Sequence, residues 1–293
     1  MFRTFLLMMV FIGCTPKAPA PQEWLDWVKG LKERYSEQFS VPSIVHHIYL
    51  SKEEDSAWIK EGPQGLRWSK NCQDCLYKVT LKKDLKTELV KKSGEVLILK
   101  DKEQNPVDKE GRIFLTPYIQ QDSEQVRVFI HDLKVKDLDK KRERAFYSYN
   151  AKVKMEAEFQ WLEKPQSFTM NRSDGSTKEM NVVAQLKYKK ADGAGTLSIY
   201  DYGSSDDKYR DEQKLMLLYR DYTNGKKTYG AGRFLIVDLK KPLKEMVNND
   251  KVLVDLNYSY NPPCAVSTGF HCPLPQDMMK QEVAAGEQYL KSK

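Results

Sequence analysis

The segment Tyr147–Trp161 reads YSYNAKVKMEAEFQW, and it decides the fold class because apolar and polar residues alternate along it. On a helix the apolar residues would point in all directions, whereas on a strand they form a single face. A strand of this length has to bend, or be shared between sheets, as in a barrel or a strongly coiled sheet. The segment therefore predicts a mainly β protein built on a strongly curved, antiparallel, barrel-like sheet.

Further strands are predicted on both sides of this segment, and together they place a β-rich domain at 42–293. Two Xaa-Gly dipeptides separate pairs of strand-like segments and favour the positive φ angles of tight hairpin turns. The hairpins are Ser167–Arg172 with Lys178–Tyr188 around Asp174-Gly175, and Leu215–Thr223 with Lys227–Asp238 around Asn224-Gly225. Another alternating strand is Val252–Tyr260, and weaker candidates are Ile44–Leu50, Leu76–Leu81, Glu95–Leu99, Ile113–Tyr118 and Val126–Leu133.

An amphipathic helix is predicted ahead of the strands, within 23–41. In EWLDWVKGLKERYSEQF, Glu23–Phe39, apolar residues recur at steps of three and four, and Pro42 ends the pattern. Packing of the apolar face on the protein's own domain is the favoured interpretation. Binding of that face to a membrane or a partner is the alternative.

The first residues have the form of an exported lipoprotein. Arg3 precedes the uncharged apolar stretch Thr4–Gly13, which is too short to span a bilayer and ends at Cys14. Small residues before a cysteine at that place resemble a lipobox. We therefore expect a signal peptide at 1–13, fatty acyl chains on Cys14 and a flexible Pro-rich tether at 14–22. The expected location is the bacterial cell envelope, at the outer membrane facing the periplasm if the cell has two membranes.

Charge and motifs argue against several functional classes. The formal net charge is +7, but basic and acidic residues are interleaved rather than clustered with aromatics, so no nucleic-acid partner is expected. The four histidines form no zinc motif, and no nucleophile elbow occurs. We predict neither cofactor nor metal.

The remaining cysteines are expected to form disulfides, because an exported protein meets oxidising conditions. The predicted bridge is Cys264–Cys272, with Cys72–Cys75 as a possible second one. Free thiols, a four-cysteine zinc site and a redox-active pair are the alternatives. The spacing is poor for zinc, and a thioredoxin-like context is missing.

Arg233 stands in an otherwise uncharged run, so it is expected to be at least half-buried and paired with a carboxylate. Asp255 and Glu287 are the candidate partners. An anion-binding arginine in a pocket is the alternative.

The C-terminal segment 215–290 contains, in order, the patterns YGxGR, DxNxxYNPxC, CPLP and AGE. This set resembles the domain-of-unknown-function family 1684 (DUF1684), which includes many bacterial lipoproteins and has no established activity. The resemblance marks as motif positions Tyr229, Gly230, Gly232, Arg233, Asp255, Asn257, Tyr260, Asn261, Pro262, Cys264, Cys272, Pro273, Pro275 and Glu287.

Seven of these residues form the candidate polar site: Tyr229, Arg233, Asp255, Asn257, Tyr260, Asn261 and Glu287. They either line one polar pocket or form a satisfied buried network that fixes where the chain crosses itself, and the network is favoured. Three functions follow as hypotheses. The first is an envelope lipoprotein that binds a ligand or an envelope protein. The second is a hydrolase or lyase that uses Asp255 and Glu287 with Arg233. The third is a structural protein that links the membrane to the cell wall.

Overall fold

The computed structural model describes residues 19–51, 55–62, 65–72, 74–82, 86–120, 125–135, 137–173, 175–190, 193–201 and 214–290. The predicted signal peptide, Cys14 and Asp174 lie outside these residues. Within the described residues the chain is mostly strand, and the strands form antiparallel sheets.

The N-terminal helix α1 spans Gln22–Ser36 and packs on the protein's own domain. Trp24, Leu31 and Tyr35 are its buried residues. The indole of Trp24 donates a hydrogen bond to the Asn257 carbonyl at 3.1 Å, and its ring packs edge-on against Tyr149. The helix ends before Phe39 because the backbone is already extended at residue 37. None of the helices in the described residues has the length and apolar character needed to cross a bilayer.

Two sheets follow α1 and share one hydrophobic core, and we call them together the N-terminal lobe. Their strands run β1 Ile44–Leu50, β2 Ser56–Gly62, β3 Gly65–Ser69, β4 Tyr77–Leu81, β5 Thr87–Lys91, β6 Val96–Leu99, β7 Asn105–Pro106, β8 Ile113–Gln120 and β9 Gln125–Asp132. One sheet has the order β1-β9-β8-β7 and the other β3-β2-β4-β5-β6. Their core contains Ile48, Ile59, Leu89, Leu115 and Val128, which are almost completely buried.

The short helix α2, Leu138–Arg142, leads into the second part of the molecule, the barrel lobe. Its strands run β10 Lys154–Asn171, β11 Thr177–Lys190, β12 Gly193–Asp201, β13 Lys214–Asp221, β14 Arg233–Asp238, β15 Lys251–Asp255, β16 Ser259–Tyr260 and β17 Met278–Met279. The order is β15-β10-β11-β12-β13-β14-β16, and β17 pairs with β13 in parallel. Since β14 approaches β15, the sheet nearly closes on itself around Phe159, Leu197, Leu217, Leu235 and Val254.

The predicted fold class is confirmed, and the deciding segment lies in β10. Met155, Ala157 and Phe159 are buried on one face, as the alternation indicates. The strand begins at Lys154 rather than Tyr147, because a 3₁₀ turn at Ala151–Val153 precedes it. It continues for eighteen residues, and its pairing with β11 shifts between Trp161 and Gln166. Such an irregularity lets a long strand bend with the barrel.

Two other strand predictions need correction. The hairpin around Gly175 joins β10 to β11 as predicted, but the second hairpin is not tight, since 222–232 lie between β13 and β14. Side-chain hydrogen bonds among Asp221, Thr223 and Thr228 stabilise that longer loop. The predicted strand Val252–Tyr260 is broken, because the Asp255 side chain caps a 3₁₀ turn at Leu256–Tyr258.

Candidate functional site

Arg233 is completely buried at the start of β14, and its carboxylate partner is Asp221. Its Nη1 lies 3.3 Å from Asp221 Oδ2 and donates to the Val283 carbonyl at 3.0 Å, while Nη2 donates to the Ala285 carbonyl. The prediction that Asp255 or Glu287 pairs with Arg233 is therefore wrong. The register explains the outcome: Tyr219 is opposite Arg233 in the β13–β14 pair, so the end of β13 at Asp221 lies beside the guanidinium.

Asp255 and Asn257 form a second, separate network. Lys154 Nζ lies 3.3 Å from Asp255 Oδ2, and Asp255 Oδ1 accepts hydrogen bonds from the backbone and the side chain of Asn257. The fully buried Asn257 amide also exchanges hydrogen bonds with the backbone of Asn150, at 2.9 Å each way. Because Trp24 donates to the Asn257 carbonyl, this network fixes α1 and the segment before β10 to the barrel lobe.

Glu287 belongs to a third network, and its cation is Arg144. Arg144 Nη2 donates to Glu287 Oε2 at 2.5 Å, and the Asn261 backbone N–H donates to the same oxygen at 2.8 Å. Both side chains of the ion pair are about 1–2% exposed. The Arg144 guanidinium also stacks on Tyr35, 3.8 Å from the ring centroid. Burial raises the pKa of Glu287, and the charge of Arg144 opposes that rise.

A cavity of about 290 Å³ opens beside this pair, and we call it the Arg144 cavity. Arg144 Nη1 and Asn261 Oδ1 are buried polar atoms without a hydrogen-bond partner, and both residues line the cavity. Burial lowers the pKa of Lys141, another lining residue. The remaining lining residues are Asp137, Lys140, Glu143, Ala265, Val266, Glu287, Gln288, Tyr289 and Leu290. The wall thus contains two residues with an unpaired polar atom that is itself covered from solvent, together with three basic and three acidic side chains.

The two other predicted site residues make local contacts. The Tyr229 hydroxyl donates to the Cys264 carbonyl at 3.1 Å, and its ring packs edge-on against Tyr289. Tyr260 packs against Phe234 on the outer side of the barrel lobe's main core, where its hydroxyl is 3.9 Å from the Met216 sulfur.

The cysteines differ from the prediction. Cys72 and Cys75 are disulfide-bonded, whereas Cys264 and Cys272 are free thiols rather than the expected bridge. The backbone N–H of Cys264 donates to Cys272 Sγ at 3.3 Å, so the two residues are nevertheless in contact. Among the described residues, no group of His, Cys, Asp and Glu side chains is arranged to hold a metal ion.

The structure therefore divides the predicted site. Asn261 and Glu287 lie in the wall of the Arg144 cavity, while Arg233, Asp255 and Asn257 belong to networks that fix chain crossings. Arg144 was missed because it stands in the charged run KKRER, which has the composition of a solvated surface. The one sequence feature that could have indicated a buried Arg144 is the apolar pair Ala145-Phe146 directly after it.

Comparison with known proteins places this arrangement in a family. The profile of the family described as "Protein of unknown function (DUF1684)" matches residues 142–288, which is half of the chain. The chain belongs to the DUF1684 family. The DUF1684 segment contains both partners of the Arg144–Glu287 pair and of the Arg233–Asp221 pair.

A solved structure of another protein is among those similar to the chain. It is the solution NMR structure of an uncharacterized protein of Haloarcula marismortui, with 25% sequence identity and a TM-score of 0.41. The similarity covers 50% of this chain and 75% of that chain. No curated protein matches this DUF1684 protein.

Proposed function

We propose that this DUF1684 protein is a lipid-anchored protein of the bacterial cell envelope that binds a small polar ligand in the Arg144 cavity. The anchor rests on the apolar stretch that ends at Cys14. An acyl chain contributes about 0.8 kcal/mol per buried CH₂, so two or three chains hold a protein firmly at a bilayer. Thr15, rather than Asp, follows the cysteine and is compatible with sorting to the outer membrane of a cell with two membranes.

The observation that carries the binding proposal is that Arg144 and Asn261 both line the cavity and that each has a buried polar atom without a partner, Arg144 Nη1 and Asn261 Oδ1. A buried donor or acceptor without a partner costs about 1–3 kcal/mol. Both atoms are covered from solvent, so a ligand recovers this energy only if the two side chains turn toward the cavity on binding. A volume of about 290 Å³ suits a molecule the size of a monosaccharide.

The charges indicate which chemistry is complementary. Arg144 Nη1 needs an acceptor, and a carboxylate is a strong acceptor for a guanidinium. The wall carries Lys140, Lys141 and Arg144 against Asp137, Glu143 and Glu287, so the preference for an anion rests on Arg144 and Lys141 rather than on a net positive charge. Asn261 Oδ1 needs an O–H or N–H donor. A hydroxy acid or sugar acid carries both groups on one small skeleton, so it is the ligand class we propose.

The two other hypotheses have less support. Paired acid–base catalysis needs two carboxylates in one cleft, but Glu287 pairs with Arg144 and Asp255 with Lys154. Arg233, the expected anion stabiliser, is taken up by Asp221. No contact among the described residues favours a structural link to the cell wall.

The binding test compares three probes with the purified mature protein: glucuronate, glucose and acetate. Glucuronate supplies both a carboxylate and hydroxyls, and it should raise the melting temperature more than either probe that lacks one of them. Binding to the native state alone stabilises by RT ln(1 + [L]/Kd), so a probe at ten times its Kd adds about 1.4 kcal/mol. Equal shifts with all three probes, or none, would contradict the proposed ligand class.

A pair of lysine variants locates the binding. Lys141→Met removes a positive charge from the cavity wall and should weaken glucuronate binding about 5- to 10-fold, in line with a charge-assisted hydrogen bond in a partly solvated site. Lys60→Met is the matched control, because Lys60 is exposed on β2 and does not line the cavity. An equal loss in both variants would indicate a nonspecific charge effect.

The anchor has its own test, which is independent of the ligand. Mass spectrometry of the native protein should find an N-terminal acylated Cys14, and Cys14→Ala should move the protein from the membrane fraction to the soluble fraction. A native protein that begins at Met1 with an unmodified Cys14 would refute the anchor and leave the binding proposal standing.

A further inference from the structure

The free thiols of Cys264 and Cys272 have no part in the proposed ligand site, yet they lie together. Cys264 is in a 3₁₀ turn at Pro263–Ala265, and its backbone N–H donates to Cys272 Sγ at 3.3 Å. Cys264 is half-buried and Cys272 is 6% exposed, so an incoming reagent meets Cys264 first.

We propose that Cys264 and Cys272 form a thiol–disulfide exchange site, in which Cys264 attacks a disulfide reagent and Cys272 resolves the product. The reactive form of a cysteine is its thiolate. Interaction with the neighbouring Cys272 thiol lowers the pKa of Cys264 to about 7, although burial opposes that shift. Interaction with Cys264, together with burial, raises the pKa of Cys272. The two cysteines are therefore unequal in the way that an attacking and a resolving thiol require.

The reaction balances with a low-molecular-weight disulfide, RSSR, as the oxidant. The Cys264 thiolate attacks one sulfur of RSSR, forms a Cys264–SR mixed disulfide and releases RS⁻. Cys272 then gives up its proton to solvent, and its sulfur attacks Cys264 Sγ and releases the second RS⁻. Overall, the protein dithiol is oxidised by two electrons to a Cys264–Cys272 disulfide, and RSSR is reduced to two RSH.

The segment between the two cysteines shows what the oxidation would affect. Ser267 donates a hydrogen bond to the Ile44 carbonyl, and the Gly269 carbonyl is hydrogen-bonded to His47, so the segment holds β1 of the N-terminal lobe. Ala265 and Val266 line the Arg144 cavity. A disulfide closes this short loop and restricts it, mainly by constraining the unfolded chain. The loop that a disulfide would close therefore contains residues of the contact between the lobes and of one cavity wall.

The first test follows the thiols of the full mature protein, without any ligand. The protein is treated with glutathione disulfide, unfolded, alkylated with iodoacetamide and digested. Before oxidation, both Cys264 and Cys272 should be alkylated. After oxidation, both should escape alkylation and appear in linked peptides that have lost two hydrogens. Persistence of both free thiols under excess glutathione disulfide would overturn the proposal.

Single variants test the order of attack. Cys272→Ser should accumulate glutathione on Cys264, because no resolving thiol remains, whereas Cys264→Ser should leave Cys272 largely unmodified. The double variant Cys72→Ser/Cys75→Ser is the control, since it removes the other cysteine pair and should leave the exchange unchanged. Preferential modification of Cys272 would reverse the assignment.

A measurement on the unmodified sequence covers the case in which a variant does not fold. The rate of Cys264 alkylation in the native protein should rise with pH through a midpoint near 7, as the thiolate forms. A midpoint at or above about 8.5, the pKa of an ordinary thiol, would overturn the assignment of Cys264 as the attacking group. None of these readouts depends on ligand binding or on the lipid anchor, so a failure here leaves the proposed function untouched.

Discussion

At the scale of single residues, two arginines are deeply buried within the part of the chain that the structure describes, and each has its own carboxylate. Arg144 pairs with Glu287 and also meets a ring and a cavity, whereas Arg233 is enclosed by Asp221 and backbone carbonyls. Removing one partner of such a pair leaves the other charge buried, and that usually costs more than the pair itself contributes. Arg144 therefore lines a cavity that a ligand could enter, whereas Arg233 is enclosed by its own partners.

The Arg233–Asp221 pair yields the first prediction. Arg233→Met should lower the free energy of unfolding by about 3–5 kcal/mol, because Asp221 loses its partner inside the core. The double variant Asp221→Asn/Arg233→Met should be more stable than the single variant, since no unpaired charge remains. Urea denaturation measures both. Equal losses in the two variants would show that packing, rather than charge, accounts for the effect.

His131 yields the second prediction, which concerns pH. It is 3% exposed and hydrogen-bonded to Ser43, and burial lowers its pKa to about 4. Between pH 6.5 and 4, His131 is therefore protonated in the unfolded chain but neutral in the folded protein. Stability should fall as the pH falls through this window, with a contribution from His131 of up to about 1.4 kcal/mol per pH unit.

The variant His131→Gln isolates this contribution, because burial also lowers the pKa of His47 to about 4 and His47 remains in place. The slope of stability against pH between 6.5 and 4 should be shallower in the variant than in the parent. Chemical denaturation at several pH values gives both slopes. Parallel slopes would refute the role of His131.

Residue types alone indicated that the charges of this chain need partners, but not which partners they have. The motif patterns placed Asn261 and Glu287 in a polar site, and both line the Arg144 cavity. The partner of Arg233 was not predictable, because it depends on the β13–β14 register and on how far β13 extends. The sequence can show that a buried charge requires a partner, but the strand register determines which residue becomes that partner.

At the scale of elements, Gly225 and Gly286 both have a positive φ, but only Gly286 lacks room for a Cβ atom. Comparing them distinguishes the cost of the backbone conformation from the cost of a steric clash. Gly225 has φ +78° and open space around a would-be Cβ, whereas Gly286 has φ +70° and a would-be Cβ in collision with the Ser259 carbonyl. A left-handed conformation costs an L residue about 1–2 kcal/mol. The collision at Gly286 adds to that cost, because a backbone atom cannot move aside as a flexible side chain can.

The third prediction follows from this contrast. Gly225→Ala should lower stability by about 1–2 kcal/mol, and Gly286→Ala by clearly more. The difference between the two variants measures how closely the C-terminal segment approaches β16. Thermal or urea unfolding of both variants gives that difference. Similar losses would indicate that the segment moves away from β16 at little cost.

Strand prediction succeeded where side chains only pack, and failed where they bind the nearby backbone. The alternation in β10 was sufficient, because Met155, Ala157 and Phe159 make apolar contacts. The strand predicted at Val252–Tyr260 is broken because Asp255 accepts a hydrogen bond from the Asn257 backbone and folds the chain into a turn. Asp and Asn side chains often compete with regular structure in this way.

At the scale of the whole molecule, the loop around Gly269 lies close against β1 and joins the two lobes. A Cβ at this position would lie 2.9 Å from both the His46 nitrogen and the Ile44 Cγ2 atom. The fourth prediction is that Gly269→Ala separates the loop from β1 and accelerates amide hydrogen exchange in β1. Gly30→Ala, on α1 with open space around it, is the control and should leave exchange in β1 unchanged. Unchanged exchange in both variants would show that the loop adapts to a methyl group.

The single β domain expected at 42–293 corresponds to three sheets in the structure. The strands β2, β3 and β5 were not predicted, and neither was the nine-residue β12 of the barrel lobe. Length does not explain this, because β4 and β6 are only five and four residues long and were predicted. In β12, the sequence GAGTLSIYD begins with small residues that give no apolar alternation.

The stacking of Tyr35 on Arg144 has a practical consequence for recombinant work on this family. A clone that begins at residue 142, where the family match begins, would lack Tyr35, which covers the Arg144 guanidinium. It would also lack Trp24, whose indole donates a hydrogen bond to the Asn257 carbonyl. Such a fragment is expected to express poorly, whereas one that starts before Gln22 retains both shields. The segment that matches the family is thus shorter than the set of residues that covers Arg144 and Asn257.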